Sequence, residues 1–278
     1  MTAALAALWI ALLAAPPHPW LADLPADVPT TPLDTHFPTP AGFQRAPAAE
    51  GSYAAFLRTL PVRTDRRQVL DFRGQPLTRP AAAVIYLDVG TRDLQQCADS
   101  ALRLYAEWRW SVGQGPQAAF HFTSGDVTTF REWIAGQRVV ARGRGIERLA
   151  GRPRARDHQS YRAWLDLVFR YAGTQSLRLD SAPVAPERPL EAGDIFVEPG
   201  SPGHAVVLLD VAAAPDGRRA ALVGQGFMPA EDFHVLEAPA PATLDAVWFV
   251  LPGPGGTLDT PSWRPFAREA ARRFRASP

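Results

Sequence analysis

Residues 193–211 read GDIFVEPGSPGHAVVLLDV. Two apolar runs, Asp194–Glu198 and His204–Val211, flank a loop of Pro and Gly, and both contain β-branched residues. That pattern predicts two paired strands. A third run, Ala220–Gln225, follows Asp216-Gly217, a dipeptide suited to a tight hairpin because both residues tolerate positive φ. Shorter runs at Phe233–Glu237 and Ala246–Leu251 extend the pattern, so the C-terminal half is expected to be an antiparallel sheet.

Upstream the period changes. Ala82–Val89 reads as a buried strand, and Ala118–Thr123 as an alternating one. Leu94, Cys97, Ala98, Ala101, Leu102, Tyr105 and Trp108 recur at helical spacing. They predict a helix from Thr91 or Asp93 to about Trp110, with Asp93 and Gln96 at capping-box spacing. Shorter helices are expected after Ser52 and over Thr129–Ala135, an amphipathic one over Tyr161–Ala172, and a last one over Arg264–Phe274. Arg138–Arg156, rich in Arg and Gly, reads as a solvated loop or irregular hairpin. Helices followed by an antiparallel sheet define an α+β class.

The organisation expected is a leader over residues 1–22, a Pro-rich linker over 23–48, and one domain over 49–278. The run from Ala3 to Ala15 is uncharged, too short to span a bilayer comfortably, and stopped by Pro16 and Pro17, as in an export signal. No later segment is apolar enough to be transmembrane. The 278 residues carry 46% hydrophobic and 21% charged side chains, enough to bury a sizeable core. Net charge is +1, which gives no reason to expect a nucleic-acid partner. All 29 basic residues are Arg, a composition that fits a GC-rich genome.

Cys97 is the single cysteine, so no intramolecular disulfide is possible and the thiol is either buried and inert or kept for its reactivity. Near a helix N-terminus a thiolate is stabilised by unpaired N–H groups, whereas on an apolar helical stripe a cysteine is a small core residue. His204, at the mouth of a strand, can offer one ring nitrogen to a thiol and the other to an orienting group. Gln225, on the partner strand, is placed to be that group. Gln95 and Gln96 are candidates for stabilising an oxyanion. His121, Asp126, His204 and His234 lack paired ligand spacing, so no metal and no cofactor is expected.

The order helix-borne Cys97, strand-borne His204, then Gln225 resembles the papain-like cysteine hydrolases of the bacterial wall, the NlpC/P60 and CHAP amidases. The resemblance implies a papain-like architecture with Cys97 as nucleophile, His204 as base and Gln225 as orienter. Their cysteine opens its helix, whereas here it is expected about one turn in. A second resemblance runs over almost the whole chain. The strings LDVGTRDLQQCAD, FHFTSG, FRYAGTQSL, GSPGHAVVLLD, FMPAEDFHVL and TPSW look like those of the bacterial family called domain of unknown function 4846. That resemblance implies an exported bacterial protein and supplies no activity. Gly226 stands where that family more often has Ser, and Glu231 where it often has Gln. Two functions follow as expectations. One is a cysteine amidase or peptidase acting on cell-wall peptide. The other is a non-catalytic envelope protein that binds glycan or peptide in the same cleft.

Overall fold

The computed structural model describes residues 18–239 and 243–275; the apolar run of the expected leader lies outside the described residues. The fold is mixed α+β and rich in sheet. Its central sheet has ten strands: β1 (Gln44–Arg45), β2 (Ala81–Val84), β3 (Ser181–Pro183), β4 (Ile195–Glu198), β5 (His204–Ala213), β6 (Arg219–Gln225), β7 (His234–Leu236), β8 (Thr243–Leu244), β9 (Trp248–Val250) and β10 (Ala271–Phe274). The order across it is β3-β10-β4-β5-β6-β7-β2, with β1 on β5, β9 on β6 and β8 on β9. Every pairing in it is antiparallel. Among the described residues six α-helices accompany it: α1 (Leu33–His36), α2 (Tyr53–Arg58), α3 (Cys97–Ser111), α4 (Phe130–Ile134), α5 (His158–Tyr171) and α6 (Thr174–Asp180).

Nine of the ten residues of β5 are buried, so both faces of this strand are covered. Side chains alternate along a strand, and here the alternation feeds two clusters. Ala205, Val207 and Leu209 face the larger core, which includes Ala98, Ala101 and Leu102 of α3 and Trp164 and Val168 of α5. Val206 and Leu208 face a second core with Phe196, Phe249 and Phe266. The expected hairpin is present, with β4 registered on β5 through Glu198↔His204 and β6 on β5 through Val207↔Gly224. A register shift between Leu208 and Asp210 accompanies a buried ion cluster, in which Asp210 accepts from Arg45 Nε and Arg58 Nε, both at 2.7 Å.

Several short helices form where their caps predict. Ser52 Oγ accepts the Ala55 N–H at 3.2 Å, Thr129 and Glu132 make a reciprocal capping box, and Asp157 accepts the Ser160 N–H at 2.8 Å. Residues 138–149 form an exposed two-stranded ribbon, Arg138–Arg142 against Gly145–Leu149.

Three expectations are corrected. The helix expected from Asp93 begins at Cys97. Asp93 does not cap it, because its carboxylate accepts the Ala230 N–H at 2.7 Å and the Gln96 amide at 2.9 Å. The cap is Gln96, whose backbone N–H donates to Asp99 Oδ2 at 3.1 Å. The last helix, expected over Arg264–Phe274, is replaced by a one-turn 3-10 segment and β10. Phe266, Ala270 and Phe274 are helically spaced, but the edge of β4 would otherwise be left unpaired, and β10 covers it at Ile195↔Arg272 and Phe196↔Ala271. Finally, the segment expected as a Pro-rich linker, 23–48, is not free, and neither is Trp20 at the end of the expected leader. Trp20, Leu33, Phe37 and Phe43 are buried in the larger core, and β1 joins the sheet.

Candidate functional site

Cys97 is the first residue of the 15-residue α3. Two contacts set it there. Asp93 is fastened to Ala230 as above, and the buried Arg103 donates to Asp88 at 3.0 Å, to Gln95 at 3.1 Å and to Glu107 at 2.6 Å. The chain entering the helix is thereby tied to the helix itself. The Cys97 sulfur lies within reach of the Ala205 N–H. A strand N–H points sideways, within the plane of the sheet, so the thiol sits beside the start of β5. Gly226 lies at this approach: a Cβ there would lie 2.4 Å from Ser100 Oγ, a hydroxyl able to turn away, and 3.3 Å from Gln96 O, so the end of β6 sits tightly against the first turn of α3.

His204, next to Ala205, opens β5. Its Nε2 and Gln225 Oε1 are 2.9 Å apart. Both side chains are buried, and His204 Nδ1 has no hydrogen-bond partner. Phe227, Trp263 and Phe266 cover the ring, at centroid distances of 4.9, 5.1 and 6.0 Å. Trp263 is anchored by its Nε1, which donates to Glu198 Oε2 at 2.7 Å. On the outer side of Glu198 and Phe266 lies a cavity of about 410 Å³ with Arg178 and Arg272 in its lining.

Burial governs the electrostatics. It pushes the Cys97 thiol up to about 11 against the opposing pull of the Ala205 N–H. It pushes the His204 imidazole down to about 4, with the Gln225 hydrogen bond opposing. At neutral pH both groups are therefore uncharged, and no thiolate–imidazolium pair exists at rest. Asp99, in the first turn of α3, is held well above the usual carboxylate range by burial.

The structure thus brings His204 and Gln225 into contact on the Phe266 face of the sheet and sets Cys97 against the Ala205 peptide group from the α3 face, so the expected contact between Cys97 and His204 is not made. The two other sequence candidates are placed differently. Gln95 is wholly buried, with its Oε1 bonded to Arg103 and its Nε2 near Asp88 O at 3.4 Å, so its amide faces the protein. Gln96 is half-buried and donates to Asp93. The backbone N–H groups of Cys97 and Ala98 also face the sulfur and, like that of Ala205, oppose the rise in its pKa.

Sequence reasoning missed the groups behind Gln225. His234 pairs in register with Gln225, and their Nε2 atoms are 3.5 Å apart. Gln225 Nε2 also donates to Ser262 Oγ at 3.2 Å. Beyond His234 lies Glu231, which burial pushes up to about 7 although Arg79 pairs with it at 2.7 Å. A signal existed, since His234 begins the strand run that follows Gln225, but it points only to a metal candidate. Among the described residues, no group of three or more His, Cys, Asp or Glu side chains is placed to hold a metal ion. Likewise no helix among them is long and apolar enough to cross a membrane.

A helix-opening cysteine beside a strand that begins with a Gln-bound histidine is the arrangement these elements define. The chain belongs to the family described as domain of unknown function 4846, whose pattern it matches over residues 33–273. That span takes in every residue of the site. No curated protein and no solved structure matches the chain.

Proposed function

We propose that the protein is a cysteine hydrolase that cleaves an amide bond, with peptide of the bacterial cell wall as its substrate class and the exported envelope as its place of work. The observation that carries this reading is the 2.9 Å bond between His204 Nε2 and Gln225 Oε1, made while Nδ1 stays unpartnered next to the residue whose N–H faces Cys97. The papain-like resemblance belongs to the same reading, and a cysteine at the first position of its helix supports it.

For this mechanism the Cys97 sulfur, on the α3 face of the sheet, has to come within about 4 Å of His204 Nδ1, on the Phe266 face, so that Nδ1 takes the proton as the sulfur attacks the carbonyl carbon. The oxyanion that forms is stabilised by the N–H groups of Cys97 and Ala98 and the positive end of α3. Collapse expels the amine, which receives the proton from His204, and leaves a thioester. Water, deprotonated by His204, then hydrolyses the thioester and frees the thiol. Gln225 holds the imidazole throughout, and the aromatic cover of Phe227 and Trp263 keeps bulk water away from the ring.

A second reading has its own support: the thiol and imidazole are buried, neutral and not hydrogen-bonded to each other, as in a protein that binds peptide or glycan without cleaving it. Iodoacetamide labelling separates the two. For the hydrolase, Cys97 of the full chain is alkylated at neutral pH, and His204→Ala slows this at least tenfold. Incubation with purified cell-wall peptide then releases new amino termini, which Cys97→Ala abolishes. Labelling that ignores His204, together with no new amino termini, would leave the binding protein as the correct reading.

A further inference from the structure

We propose that His234 is a positioning residue that sets the tautomer of His204 through the Gln225 amide, so that the bare nitrogen of His204 is Nδ1. The chain of donors and acceptors has one consistent direction. His234 Nδ1 lies 3.0 Å from the Asp232 carbonyl oxygen, which can only accept, so Nδ1 carries the hydrogen. Glu231 Oε1, at 3.7 Å from the same nitrogen, favours a proton there, while Arg79 beyond it opposes additional charge on the ring. Burial keeps His234 neutral, so its Nε2 is bare and accepts.

The Gln225 atom facing His234 must then be the amide nitrogen. That nitrogen has two hydrogens and two acceptors, His234 Nε2 at 3.5 Å and Ser262 Oγ at 3.2 Å. Gln225 is therefore locked with Oε1 towards His204. An amide oxygen only accepts, so His204 Nε2 carries the hydrogen and Nδ1 is left with its lone pair. A flipped Gln225 would offer N–H to His204 Nε2, move the hydrogen to Nδ1 and remove the base. The role of that lone pair as proton acceptor for Cys97 rests on the hydrolase reading; the tautomer does not.

The test uses the full chain with ¹⁵N-labelled histidine and long-range ¹H–¹⁵N correlations, His204 being assigned by its loss in His204→Gln. The expected result is a protonated Nε2 and a bare Nδ1 in the wild type. In His234→Leu the His204 signals become those of a tautomer mixture, and Cys97 alkylation slows about five- to tenfold, the scale of one lost hydrogen bond. His234→Gln, which keeps an acceptor, restores both. A wild-type His204 protonated at Nδ1 would overturn the proposal, as would His234→Leu with unchanged tautomer and only a lower melting temperature. If the tautomers behave as stated but alkylation never depends on His204, the hydrolase reading falls and the positioning role stands.

Discussion

At Cys97 the decisive quantity is how its reactivity changes with pH. The thiol is pushed up to about 11 and the imidazole down to about 4. A lone buried thiol reacts only as its small thiolate fraction, so its rate climbs about tenfold per pH unit below its pKa. A thiol that passes its proton to a neutral His204 reacts at a rate nearly independent of pH between the two values. Alkylation followed through the neutral range is therefore expected to show a plateau, replaced by the tenfold climb in His204→Ala. Asp180 offers a second titration. Burial pushes its carboxyl up to about 6 although His121 bonds to it at 2.6 Å. The folded value lies above the unfolded one, so the contribution to stability is full below about pH 4 and lost as pH rises to about 6. Chemical denaturation across that interval should show wild type losing more stability than Asp180→Asn. Of the site residues, His204 and Gln225 were legible in the sequence as members of neighbouring strands, but the Asp216-Gly217 turn alone would set Gln225 opposite Val207, and the register shift between Leu208 and Asp210 brings it to the face of His204. The helix-opening position of Cys97 was not legible. It depends on Asp93 bonding Ala230, 137 residues away, and local spacing assigns that carboxylate to a cap.

Among the elements, the junction between α3 and β6 positions the site, and Gly226 is its closest contact. A methyl placed 2.4 Å from Ser100 Oγ makes either that hydroxyl turn away or the first turn of α3 shift. Gly226→Ala is expected to cost about 1–3 kcal/mol in urea denaturation and to alter Cys97 alkylation. Ser100→Ala, which removes the opposing oxygen, should recover part of both in the double variant, a coupling that a cycle of the two substitutions measures. By contrast, Asp157→Ala removes the cap of α5 and should cost about 1 kcal/mol with no change in alkylation, because that cap lies at the start of another helix. The local cap at Ser52 was read from the sequence, whereas the cap at Asp157 was not, and α5 begins at His158, ahead of the expected Tyr161. β10 could not be read there, because the spacing of Phe266, Ala270 and Phe274 imitates a helix, whereas the open edge of β4 is a property of the assembled sheet.

For the whole molecule, the segment 18–48 is part of the core. Its Pro-rich composition hid this, although Trp20, Leu33, Phe37 and Phe43 are the apolar anchors that a free linker would lack. Trp20 is 1% exposed, and its indole donates to Tyr86 O at 2.8 Å. Trp20→Ala should therefore cost about 3–5 kcal/mol in denaturant titration, where a true linker position would cost nothing measurable. Asp210→Ala should cost a similar 3–5 kcal/mol, since it strands Arg45 of the arm and Arg58 of α2 with no carboxylate between them. The placement of β10 has a further consequence for how the protein is made. Both of its neighbours, β3 and β4, are synthesised well before it, so the nascent chain carries a gap between two finished strands until residues 271–274 arrive. During that interval the edge of β4 is open to any extended peptide, a neighbouring copy included. The order of synthesis thus leaves a period of vulnerability to misassembly that a holding chaperone, or passage to another compartment in an unfolded state, would cover.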